Sequence, residues 1–68
     1  MIDLEDFLFK NVIIVDSNDK THIGYVDFYE SEYDSGYDEP SIGLIPNKNS
    51  KSGIEFRQSE IKSIKLID

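Results

Sequence analysis

The chain has 68 residues, fourteen acids against seven bases and a net charge of −7, which is room for one small domain burying roughly 60% of its unfolded surface. With no cysteine and one histidine, it has no disulfide framework, thiolate centre or His-rich metal site, and neither a metal nor another cofactor is expected. The longest apolar run, residues 12–15, falls far short of the roughly 20 needed to span a bilayer, and the acidic start (Asp3, Glu5, Asp6) is unlike a secretory signal, so a cytoplasmic protein without a membrane partner is expected.

Residues 3–10 read as a short α-helix. Leu4, Phe7 and Leu8 fall at i, i+3 and i+4 and make one apolar stripe. Asp3 suits the N-cap, Glu5 and Asp6 the positive end, Lys10 the negative end, and Asn11 the stop. Two turns do not stand alone in water, so the stripe is expected to lie on a sheet. A first strand, Asn11–Asp16, has four apolar residues in succession, which calls for cover on both faces. A turn at residues 17–20 leads to a second strand, residues 21–31. Gly24 within it signals a bend or a close backbone approach. Val26 and Tyr29 stand three apart rather than two, which signals a bulge. His22, near the start of this strand, reads as a solvent-facing residue and not as a ligand or base, because nothing nearby completes a metal or catalytic set.

An acidic loop, residues 30–40, follows. From Asp27 to Pro40 there are six acids and no base, and residues 1–46 together carry −9 against +2 for residues 47–68. Such a run reads as a solvated loop. Its functional reading is a surface that docks on a basic protein partner, with Asp34, Asp38 and Glu39 as contacts. A calcium loop is disfavoured, since the alternating ligands and distal Glu of an EF-hand are missing. Three further strands are expected at Ser41–Ile45, residues 54–58 and residues 62–67, with a tight turn at Ser59 and Glu60 for which one turn of 3₁₀ helix is an option. Ile54, Phe56, Ile64 and Leu66 are expected to face inward. The expected core is Leu4, Phe7, Val12, Ile14, Val26, Ile42, Leu44, Phe56, Ile64 and Leu66.

The whole is one all-β domain: a small five-stranded antiparallel barrel, residues 11–67, with one short N-terminal α-helix. Two segments carry a family resemblance. Gly24-Tyr25-Val26-Asp27-Phe28-Tyr29-Glu30 resembles the first Sm motif, and residues 54–64, from Ile54-Glu55-Phe56-Arg57-Gln58 to Ile64, resemble the second. The chain is thus similar to the Sm-like proteins, ring-forming barrels that include bacterial RNA chaperones. The resemblance implies a homo-oligomer binding a nucleotide or short RNA near Arg57 and Gln58, at the turn that lines the ring's pore. Here Gln58 stands where Gly or His is usual, and the loop before the third strand carries Tyr33 and Tyr37 but no Asn.

The residues themselves support the same site. A guanidinium presents a planar fork to phosphate or base edges, and a neighbouring amide both donates and accepts. Tyr29 and Tyr37 belong to an aromatic stretch that offers stacking surfaces. The bland readings are a surface pairing of Arg57 with nearby acids, and aromatics spent on core and loop packing. No nucleophile elbow, triad or phosphate-cradling glycine spacing is present, so a non-enzyme is expected. The alternative function is a small acidic phage-type inhibitor, either a DNA mimic that binds a protein or a nucleotide-sequestering counter-defence protein.

Overall fold

The structure, a computed structural model, describes residues 3–67. Asp3 caps the first element, its carboxylate accepting the Glu5 N–H at 3.1 Å. The element is a single 3₁₀ turn, Leu4–Phe7, and not the α-helix expected over residues 3–10. Its bonds run i to i+3, from the Asp6 N–H to the Asp3 carbonyl (3.2 Å) and from the Leu8 N–H to the Glu5 carbonyl (3.1 Å). The reason is competition. A two-turn helix is below the length at which nucleation is repaid, and the neighbouring strand offers partners of its own. Phe9 adopts φ 63° and its N–H reaches the Val26 carbonyl at 2.8 Å, while the Val26 N–H reaches the Lys10 carbonyl at 3.0 Å. Asn11 therefore opens a strand instead of ending a helix. Leu4 is buried, and Phe7 and Leu8 pack at the rim of the core.

Five strands follow: β1 (Asn11–Asp16), β2 (Thr21–Glu30), β3 (Ser41–Ile45), β4 (Ile54–Arg57) and β5 (Ile61–Leu66), with a second 3₁₀ turn, Gln58–Glu60, between the last two. All pairings are antiparallel, and the order across the sheet is β4-β3-β2-β1-β5. The protein is thus all-β, with one sheet whose edges are β4 and β5. Among the described residues no ladder joins those two edges.

The core lies on one face of the sheet. Laid flat, five strands would hold the edges about 19 Å apart. Phe56 from β4 and Ile61 and Ile64 from β5 nevertheless share a cluster with Val12, Ile14, Val26, Ile42 and Leu44, so the sheet is curled around these side chains. Two features of β2 permit this. Between Val26, paired with Leu44, and Phe28, paired with Gly43, the register shifts at Asp27, and both Val26 and Tyr29 turn towards the core. At Gly24 a Cβ would lie 2.3 Å from the Ile45 carbonyl oxygen, so β2 and β3 approach there as only glycine allows.

Of the expected core, Phe7 is only half-buried and Leu66 is 50% exposed; Ile54, expected to face inward, is 52% exposed. Ile54 and Leu66 lie on the edge strands, beyond which no further strand pairs among the described residues. Ile61 takes the core place on β5, which begins one residue earlier than expected. A second register shift, between Val15 and Asp16 of β1, sets Ile61 opposite Asp16 and lets both Ile61 and Ile64 point inward. β1 is fully covered on one face only, with Val12 and Ile14 buried and Ile13 and Val15 half-buried, and the first 3₁₀ turn docks on β2. No helix among the described residues is long and apolar enough to cross a membrane.

Candidate binding corner at Arg57

Arg57 is the last residue of β4, opposite Ser41 of β3. There the chain turns sharply into Gln58–Glu60, and the turn is held from within. The Glu60 carboxylate accepts the Arg57 N–H at 2.9 Å and the Arg57 Nε–H at 3.4 Å. The backbone donor is the main cause of a Glu60 pKa below the usual carboxylate value, with the Arg57 side chain adding to it and partial burial opposing it.

The acidic loop closes over this corner. The Gln58 N–H donates to the Pro40 carbonyl at 2.9 Å. The Glu39 carboxylate accepts the Ser59 N–H at 2.6 Å and the Ser59 hydroxyl at 3.0 Å. The guanidinium carbon of Arg57 lies 5.0 Å from the centre of the Tyr37 ring, within range of a cation–π contact. The Arg57 and Tyr37 side chains both remain accessible, at 43% and 44%.

The residues expected at the site are thus partly gathered. Arg57, Gln58, Tyr37 and Glu39 meet at one corner. Tyr29 is elsewhere: it packs against the core, where burial raises its phenol pKa, aided by the negative field of Glu5, Asp3 and Glu32. Asp34 and Asp38 face solvent, Asp34 accepting the Ser31 hydroxyl at 3.2 Å. Glu39 is not a freely solvated member of that acidic set, since its carboxylate is engaged by Ser59. Glu60 and Ser59 were missed as site residues. Glu60, three residues after the strand-ending Arg57, is the signal that could have found the first of them.

A second polar centre lies on the other side of the Gln58–Glu60 turn, where the Ser17 N–H donates to the Glu60 carbonyl at 3.0 Å and Asp16 pairs with Ile61. Asp16 Oδ1 accepts the N–H groups of Asn18 (2.9 Å) and Lys20 (3.0 Å), and Oδ2 lies 2.8 Å from Nε2 of His22. The His22 contact leads the causes that lower the Asp16 pKa. His22 is not the solvent-facing residue expected. Its side chain is 24% exposed, and its ring meets Phe56 edge-on with centroids 5.0 Å apart. Gly24, two residues on, and Val26 share its side of β2, which is why the ring turns inward. His22 also lines a cleft of about 350 Å³ with Ile23, Ile45, Pro46 and Ile54. A neighbouring cleft of about 330 Å³ runs between Phe28, Lys51 and Glu55. Neither cleft includes Arg57. Among the described residues no group of three or more His, Cys, Asp or Glu side chains is arranged to hold a metal ion.

Compared with protein-family models, curated proteins and solved structures, the chain matches none.

Proposed function

We propose that this chain is a non-enzymatic binding module of Sm-like barrel architecture, which assembles into a symmetric homo-oligomer and takes a nucleotide or short RNA at the Arg57 corner. The observation that carries the reading is the accessible Arg57 guanidinium over the Tyr37 ring, 5.0 Å apart, at the end of an edge strand. Such a pair supplies the two contacts a nucleotide needs, a cation for phosphate and a face for the base. Assembly is supported by the two different edges. β4 and β5 each offer unpaired backbone groups beside a half-exposed apolar side chain, Ile54 or Leu66. Pairing one edge with the other in the next copy is head-to-tail, and it closes into a ring when the rotation allows.

Filter binding with poly-U, poly-A and small cyclic nucleotides tests the ligand. The Arg57→Ala variant is expected to bind about tenfold or more weakly, as loss of a charge-assisted contact implies. Binding indifferent to Arg57 overturns the reading. Light scattering coupled to size exclusion tests the assembly, and a mass near one chain at tens of micromolar removes it.

The second reading, an acidic inhibitor that docks on a basic protein, is favoured by the exposure of Glu32, Asp34 and Asp38 on one loop. Absence of nucleotide binding, together with capture of a defined basic protein that is lost when those three acids are neutralised, would put it first.

A further inference from the structure

The acidic loop does not lie loosely beside the Arg57 corner; three contacts fasten it there. Glu39 holds Ser59 through both carboxylate oxygens, at 2.6 Å and 3.0 Å. Pro40 holds the Gln58 N–H at 2.9 Å. Tyr37 lies against the Arg57 guanidinium. Behind them the Ser35 hydroxyl donates to the Glu39 carbonyl at 2.7 Å and accepts the Tyr37 N–H at 3.2 Å, which couples the two residues that touch the corner.

Glu39 therefore sets an anion on a hydroxyl and an amide one turn from the Arg57 cation. A phosphate group asks for the same donors: N–H and O–H groups beside a guanidinium. Carboxylate and phosphate are alternative occupants of one place. We infer that residues 35–39 form an autoinhibitory strap, in which the Glu39 carboxylate stands in for a ligand phosphate at Ser59 and must leave before a nucleotide phosphate seats there. The inference rests on the reading of the Arg57 corner as a nucleotide site. Its consequence is quantitative: apparent affinity is reduced in proportion to the fraction of molecules with the strap open. Asp34 and Asp38, exposed on the same loop, add repulsion to an approaching phosphate for as long as the loop stays down.

The test is fluorescence anisotropy with labelled hexauridylate, with unlabelled cyclic AMP as competitor so that a polymeric phosphodiester and a free nucleotide are told apart. Glu39→Gln keeps the shape and removes the charge, and is expected to bind about three- to tenfold more tightly than the unaltered chain. Adding Arg57→Ala to it should abolish the gain. Ser35→Ala, which touches neither Arg57 nor Ser59, should tighten binding by a smaller factor. The Ser59 amide resonance reports the exchange directly: adding ligand to the unaltered chain should move it towards its position in Glu39→Gln, while Val26 and Ile42 amides stay in place and certify the fold. Arg57-dependent binding that is unchanged or weaker in both variants, or a Ser59 amide unmoved by bound ligand, overturns the strap and leaves the site standing. Binding by neither the unaltered chain nor Glu39→Gln, or binding that ignores Arg57, overturns the site and the strap together.

Discussion

Two corners of the sheet are each organised by one carboxylate, and they differ in how far along the chain that carboxylate reaches. Asp16 serves residues two and four positions away in the turn it opens, and His22, six away, at the start of β2. Glu39 reaches Ser59, twenty residues away, and joins a loop to the far end of another hairpin. The first arrangement is local turn chemistry of the kind Asp favours wherever backbone donors crowd together. The second exists only once β3 and β4 have paired, so its stability depends on the sheet beneath it. A local carboxylate fixes a turn that the strands need for register. A long-range one can be released without loss of the strands.

The largest expected effect removes the support of both corners. Val26→Asp places an unpaired charge in the cluster behind β2 and should cost about 3–5 kcal/mol, enough to unfold a domain of this size. A folded variant of unchanged melting temperature would show that Val26 does not anchor the sheet. Next comes Asp16→Ala, which strands two turn amides and the His22 ring at once. Its melting temperature should fall further than that of Glu39→Ala, and the reverse order would break the comparison between local and long-range carboxylates.

Acid should weaken both corners. The folded pKa values of Asp16 and Glu60 are depressed, so their contribution to stability is complete above the unfolded carboxylate range near pH 4 and is lost as pH falls through the folded values. Thermal melts between pH 7 and pH 2 should show a decline that begins below about pH 4–5 and is shallower in Asp16→Asn. An equal slope in that variant would show that Asp16 is not the group responsible. On the alkaline side Tyr29 works oppositely. Its raised pKa favours the neutral phenol in the folded state, so stability falls as pH rises above about 10.

Smaller effects sharpen the contrast within the acidic loop. Glu39→Ala should cost about 1 kcal/mol, the net worth of a surface hydrogen-bond pair, measured by urea denaturation. Asp34→Asn with Asp38→Asn should stay within about 0.5 kcal/mol or stabilise slightly, because like charges are relieved and no comparable anchor is lost. A large loss in that double variant would show that the whole loop, and not Glu39 alone, holds the corner.

What could be read from the sequence was mostly periodic or local. Alternation and turn residues located all five strands, and the three-residue spacing of Val26 and Tyr29 revealed the bulge. The N-terminal stripe misled because Leu4, Phe7 and Leu8 suit an α-helix, while the outcome turned on a long-range bond from Phe9 to Val26 that no window of residues displays. Ile54 and Leu66 carry the alternation of core residues but lie at sheet edges, and edge position is a property of topology. At the corner, Arg57 and Tyr37 could be singled out by chemical type. That Glu39 would engage Ser59, and that Tyr29 would stay with the core, depended on how β2, β3 and β4 stack. His22 was misread because its partner Asp16 lies across a turn, and because the inward parity of Gly24 and Val26 was not extended back to it.

The register shift at Asp27 has a consequence for how the chain can vary in length. Before it, even-numbered residues of β2 point inward; after it, odd-numbered ones do. Removing Asp27 would delete the one unpaired residue and leave Phe28 outside and Tyr29 inside, still opposite Gly43 and Ile42, whereas losing a paired residue of β2 would invert its neighbours. Loss of one residue is thus tolerated at this point of the strand, as length changes are in residues 46–53, because neither inverts a neighbour. Chains that share this architecture should place any single-residue gap of residues 22–30 at the bulge, even where hardly a side chain is the same.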